Sequence, residues 1–169
     1  LGVVLVAGAL GLALQQPWTG PATGTESGGL PATAEQERKA ALDEIEARFK
    51  QAVVMLHANR HEYAVAALER VLTLAPRLPE AHANMGFALV GLGRFAGAEY
   101  YFQQALALRP EQLNAYFGLA LCHENNGDLE AALGAMRVYV HLADEDDPYV
   151  RKAMSAIWEW EAAGDAARG

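Results

Sequence analysis

Apolar and polar positions divide the chain into three stretches of different spacing. Residues 1 to 14 are an unbroken run of Leu, Val, Ala and Gly with no polar face. Residues 19 to 34, TGPATGTESGGLPATA, hold almost nothing to bury, and their Gly, Pro, Thr and Ser predict an extended, mobile tether. From about Ala41 the apolar positions return, and the pattern then repeats itself. Ala64, Ala98 and Ala132 lie 34 residues apart, as do Ala52, Gly86 and Ala120, then Leu74, Leu108 and Leu142; Pro76 and Pro110 keep the same step. A period of this size marks a stack of like supersecondary units.

The middle copy is the most regular: His82, Met85, Gly86 and Leu89, then Gly93, Phe95, Ala98, Phe102, Ala105 and Pro110. It resembles the tetratricopeptide repeat, a helix-turn-helix unit in which Trp, Leu, Gly and Tyr mark the first helix and Ala, Phe and Pro the second. Gly86, Ala98, Phe102 and Pro110 match that pattern, while His82, Met85 and Leu89 replace its Trp, Leu and Tyr. The third copy keeps Tyr116, Leu119, Ala120, Gly127, Ala132 and Met136 but has Asp144 at the closing proline. The first is loosest, with Arg48, Gln51, Ala52, Met55, Ala64, Leu68 and Pro76.

The resemblance implies an all-α fold, a solenoid of about three such hairpins at residues 45–78, 79–112 and 113–146, within a domain covering 41–162. Small residues at Ala52, Gly86 and Ala120 let the first helix of each pair approach the second at Ala64, Ala98 and Ala132. Gly93 and Gly127 supply turns, Asp128 is placed to cap a helix, and Pro76 and Pro110 end theirs. After the acidic run Asp144 to Asp147, Asp147 and Pro148 start a capping helix over 148–162, with a tail at 163–169. Its apolar stripe is expected to be Tyr149, Val150, Ala153, Met154, Ile157, Trp158 and Ala162, sealing the open end. Trp160 falls off that stripe and is expected to be exposed.

In repeats of this type the first helices line a concave surface that receives extended peptides or helices, so the resemblance implies a protein partner. In register, the inward positions are Phe49, Lys50, Val53 and His57, then Ala83, Asn84, Phe87 and Val90, then Phe117, Gly118, Leu121 and Glu124. Phe49, Val53, Phe87, Phe117 and Leu121 are expected to form an apolar strip there. The related chaperone-binding repeats clamp a terminal carboxylate with Lys, Asn and Arg. Asn84 stands at one clamp position, but Asn114 and Gly118 occupy the cationic ones, so an anionic C-terminal tail is a poor ligand.

Charge and chemistry narrow the reading further. Lys and Arg total 13 against 21 Asp and Glu, and a net charge of −8 repels phosphate backbones, so no nucleic acid is expected. Cys122 has no second cysteine to pair with. His57 and His61 have metal-ligand spacing, yet the repeat register puts a turn between them, and His82, His123 and His141 fall on separate helices. No phosphate loop, nucleophilic serine motif or Cys-His pair appears, so neither enzyme activity, metal nor cofactor is expected.

The opening run therefore sets the context. As a helix, Leu1 to Leu14 covers about 21 Å at 1.5 Å per residue, short of a hydrocarbon core about 30 Å thick. The chain opens on Leu1 rather than Met, and a few residues upstream would complete a span. Gln15, Gln16, Pro17 and Trp18 suit an exit at the headgroup level, and no Lys or Arg precedes Arg38 to hold that side in the cytoplasm. Residues 1–18 are thus expected to be a membrane anchor and 19–40 a flexible linker. This sequence pattern predicts an extracytoplasmic scaffold at a bacterial inner membrane, docking a subunit of a membrane-associated complex. The alternatives are a cleaved signal peptide, for which Ala7-Gly8-Ala9 offers a site and which would leave a soluble periplasmic peptide binder or chaperone, and a buried core helix.

Overall fold

The computed structural model describes residues 32–144 and 146–168. Among them are seven helices: α1 (Ala32–His57), α2 (His61–Leu74), α3 (Pro79–Gly91), α4 (Phe95–Leu108), α5 (Leu113–Asn125), α6 (Leu129–Leu142) and α7 (Val150–Arg168). The described residues contain no strand, and the expected solenoid is what they form. Each helix packs on the next in sequence, and α3 also touches both α1 and α5. The first helices of the three hairpins therefore make one layer and the second helices another, with α7 closing the end.

The turns obey the same period as the core. Asn59, Gly93 and Gly127 lie in the left-handed region with φ of 54°, 71° and 77°, a conformation that costs glycine nothing and that asparagine tolerates. The residue after each one opens the second helix, and only Asp128 caps it with a side chain, accepting from the Ala131 amide at 3.0 Å. Asp147 does double duty before α7, accepting from the Tyr149 amide and from the Tyr139 hydroxyl, each at 2.8 Å.

Close approach is enforced where the sequence is small. Ala52, Ala64, Ala98, Ala120 and Ala132 have no exposed surface. At Gly86 an added Cβ would stand 2.6 Å from the Phe102 ring, and at Gly118 only 2.2 Å from it. The ring itself is fully enclosed. Phe102, on α4, thus fills the space that two glycines leave on α3 and α5, and one side chain binds the second hairpin to the third.

Three expectations about the ends need correction. Residues 32–40, expected within the linker, form the start of α1. Glu35 to Asp43 is dominated by good helix formers, which outweigh the Gly- and Pro-rich composition immediately upstream. These first turns are largely exposed; Ile45 is the first buried residue and the Glu44–Arg70 ion pair the first tie to α2. At the other end α7 starts at Val150 and runs through the expected tail to Arg168. Its packed face has a different phase from the expected stripe: Trp160 is buried at 6% exposure, whereas Met154 and Trp158 stand out at 57% and 71%. Trp160 wins because its indole N–H finds Glu124 Oε1 at 2.9 Å while its rings are covered. Leu1–Leu14, the expected anchor, lies outside the described residues, and among those described no helix is long and apolar enough to cross a membrane.

Gly118→Ala is expected to destabilise the fold by about 1 to 3 kcal/mol through overpacking against Phe102. In a Phe102→Leu background most of that loss should vanish, a coupling that denaturant titrations of the four proteins in the cycle would measure.

Candidate functional site

The site expected from the sequence is the inner layer, and the structure divides its residues into two groups. Phe49, Phe87 and Phe117 retain 4%, 2% and 2% of their surface. They do not present an apolar strip. Phe87 packs edge-on against Phe102 with ring centres 5.0 Å apart, and Phe117 meets Tyr139 at 5.4 Å and Tyr149 at 6.5 Å. The Lys152 ammonium stands 5.6 Å from the Phe117 ring centre. Aromatic side chains are long enough to reach under the neighbouring hairpin, and the area they bury there favours the core over the groove. Ala83 and Asn84 are buried too, at 0% and 1%.

The second group stays accessible. Lys50 and His57 are exposed on α1, with Lys50 ion-paired to Glu46 one turn back. Val53, Val90 and Leu121 are half-buried, one on the first helix of each hairpin. Glu124 is exposed, yet its carboxylate is engaged by Trp160 of the closing helix. What remains of the strip is aliphatic and narrower than the sequence suggested.

Beneath it runs a polar chain that sequence reasoning missed. Glu80 is buried at 2% and accepts from Arg109, whose side chain is 36% exposed. Arg109 also donates to Gln112 Oε1 at 3.2 Å, and Gln112 Nε2 donates to Asn114 Oδ1 at 2.8 Å. The first helix of the second hairpin is thereby tied to the segment entering the third. Among the described residues, the side chain of Asn84, the Nδ2 of Asn114 and the second Glu80 oxygen find no hydrogen-bond partner. A sequence signal existed: Glu80, Asn84 and Asn114 stand at inner-layer register positions, where buried polar groups need partners.

The histidines are dispersed. His57 ends α1 and His61 begins α2 on the far side of the Asn59 turn, with the His61 ring against Gly91. His82 Nε2 pairs with the Pro76 carbonyl at 2.8 Å. Among the described residues no group of three or more His, Cys, Asp or Glu side chains is placed to hold a metal ion. Burial pushes the Cys122 thiol up to about 12, with Glu99 adding to the effect, so the nucleophilic thiolate is suppressed at neutral pH. Burial, then the Asp147 carboxylate, raises Tyr139 well above the usual phenol range.

Tetratricopeptide-repeat models match residues 46–77 and 84–148, together more than half of the chain. The chain belongs to the tetratricopeptide-repeat family. Among curated proteins it is similar to FlbA of Caulobacter vibrioides, 29% identical over 96 residues, which make up 57% of this chain and 16% of FlbA. The chain therefore spans only a small part of that relative's length. Among solved structures, the type III secretion translocator chaperone SycD of Yersinia enterocolitica superposes with a TM-score of 0.72 at 13% identity, covering 82% of this chain and 97% of SycD. SycD in complex with a peptide of the translocator YopD gives 0.66 at 14% identity, over 72% and 95%. The TPR2B domain of yeast Sti1 in complex with pHsp70 gives 0.65 at 17%, over 71% and 98%. At these identities the structural likeness is one of fold.

Arg109→Met strands the buried Glu80 charge and is expected to cost about 2 to 4 kcal/mol, whereas Glu80→Gln, which removes the charge itself, should cost less. Urea unfolding midpoints of the two variants decide the order.

Proposed function

We propose that this repeat domain is a non-catalytic docking module that receives a partner polypeptide along its inner layer. The observation that carries this reading is the row of accessible aliphatic residues, Val53, Val90 and Leu121, one per hairpin, on a rigid stack. Two of the similar folds were solved as complexes, SycD with a YopD peptide and the Sti1 domain with pHsp70, which supports a polypeptide as the kind of partner. The partner suited to this chain is uncharged or apolar in its contacting part. Lys50 is already paired, and the buried Glu80 sits in the same layer, so an anionic terminus gains little. Full burial of an aliphatic side chain is worth about 1.5 to 3 kcal/mol, and most of that surface is already covered at all three positions, so these residues alone supply a few kcal/mol at most and docking through them is expected to be weak, no tighter than about millimolar.

A photo-crosslinking residue at Val90 should capture one defined partner in cells, and the same residue at the exposed Gln103 of α4 should not. Combining Val53→Thr and Leu121→Thr with it should abolish the adduct while the helical circular dichroism is retained, with some fall in melting temperature because both side chains also pack against the core. Equal capture from both positions, or capture that survives the double substitution, would reject the inner layer as the docking face.

We further propose that Leu1–Leu14 holds this module at a membrane, with the repeats on the extracytoplasmic side, where it serves assembly or retention of a membrane-associated complex. The support is compositional: an uncharged apolar run, a Pro-Trp exit, and no cation before Arg38. A soluble periplasmic binder is the second reading, favoured by the small residues Ala7-Gly8-Ala9 at a peptidase-like spacing. Deleting residues 1–14 should move the protein from carbonate-washed membranes to the soluble fraction with its helical circular dichroism intact. Protease added to spheroplasts should digest the repeats of the undeleted protein. Retention of the deleted form on membranes would remove the anchor.

A further inference from the structure

Three enclosed side chains of the inner layer carry polar atoms that helix packing leaves unpaired. Glu80 is 2% exposed, and Asn84 and Asn114 are each 1% exposed. Among the described residues, both amide atoms of Asn84, the Nδ2 of Asn114 and the Oε2 of Glu80 lack a hydrogen-bond partner. About nine in ten enclosed groups of this kind are paired, to protein or to ordered water, because an unpaired one keeps the whole cost of its lost hydration. Four such atoms on two packed helices therefore point to a ligand.

The three residues are neighbours by register and by hydrogen bonding. Glu80 and Asn84 stand one turn apart on the same side of α3, and α3 packs on α5, the helix of Asn114. Glu80 and Asn114 are each the second residue of their helices, 34 positions apart, and so lie at the same level of the stack. Arg109 donates to Glu80 Oε1 and to Gln112 Oε1, and Gln112 Nε2 donates to Asn114 Oδ1. The atoms left over at the two ends of that chain are Glu80 Oε2, an acceptor, and Asn114 Nδ2, a donor. The residue of α5 in register with Asn84 is Gly118, which offers it no side chain.

Chemistry selects the ligand. A metal cation would suit Glu80 Oε2 and Asn84 Oδ1 but leave both amide nitrogens unpaired, and an anion that took the amide N–H groups would be repelled by the carboxylate. Exchanging the oxygen and nitrogen of Asn84 alters neither count. A side chain of a docked partner is excluded because all four atoms are already covered by this chain. Water donates and accepts at once, and where it is buried it makes about three hydrogen bonds.

We propose that ordered water is built into the joint between α3 and α5. One molecule accepts from Asn114 Nδ2 and donates to Glu80 Oε2, which closes the Glu80–Arg109–Gln112–Asn114 chain into a ring. A second, bonded to the first, serves the Asn84 amide. The second and third hairpins are then joined by two fillers of opposite character, the Phe102 ring and bound water.

The full chain in a mild detergent is the material for deuterium magnetic relaxation dispersion, which counts long-lived waters. Relative to the parent, Asn84→Leu combined with Asn114→Leu should lose amplitude equal to about two waters, and Gln103→Leu on the exposed side of α4 should lose none. Asn84→Leu alone should lower the melting temperature by about 2 to 6 °C, since it turns hydrocarbon toward water and a carboxylate. A readout that stands even where the double variant fails to fold comes from the isotope-labelled parent, in which the side-chain amide protons of Asn84 and Asn114 should show Overhauser cross-peaks to long-lived water. Equal amplitude in the parent and a folded double variant overturns the proposal. So does a rise in melting temperature for Asn84→Leu, the result expected when an enclosed amide has nothing to bond. Loss of both cross-peaks in the parent does the same and would mean that Asn84 turns to donate directly to Glu80.

Discussion

One ring holds the middle of this molecule together. Phe102 fills the hollow left by Gly86 on one side and Gly118 on the other, so the second and third hairpins share a side chain instead of merely abutting. Protein interiors tolerate neither a void nor an extra methyl at such a point. The rest of the core follows from that spacing. Phe87 is drawn edge-on against Phe102, the alanines of the hairpin seams are wholly covered, and the inner layer loses its aromatic surface to the interior. What stays accessible on the inner layer is consequently the aliphatic remainder, Val53, Val90 and Leu121, a by-product of how tightly the stack is built.

The buried polar chain works beside that ring in a different currency. Glu80, Arg109, Gln112 and Asn114 link α3 to the connection that enters α5, close in sequence to the Pro110 that ends the second repeat. Such a chain adds little net stability, since each group gave up water to join it, but breaking one link leaves a charge stranded. Its effect is on geometry: hydrogen bonds have direction where apolar contacts do not, so the third hairpin enters at one angle. Asp147 plays the corresponding part at the next junction, fixing Tyr139 and the entry into α7 with one carboxylate.

The period was legible because it rests on size and backbone conformation, which single residues declare. A glycine at positions 93 and 127 and alanines at 64, 98 and 132 leave few alternatives once they recur at one interval. Side-chain accessibility was not legible in the same way. Register says that Phe49, Phe87 and Phe117 point inward, but how far the next hairpin slides over them depends on Gly118 and Phe102 acting together across two repeats. On α7 the difficulty was phase. Apolar residues surround much of that helix, so Met154 and Trp158 fit a stripe as well as Trp160 does, and the choice was made by an acceptor 36 residues away, Glu124. The start of α1 was misplaced because turn-forming and helix-forming compositions grade into one another near Ala32.

The first helix carries a geometric consequence of its own. From Thr33 to Glu44 it runs about 17 Å, at 1.5 Å per residue, with most of those residues exposed and none fully buried. That stretch is a lever of helix, and it sets where on the stack the upstream chain is attached. Shortening it ahead of Ala41 would alter the reach of the domain while leaving the buried core, which starts at Ile45, untouched.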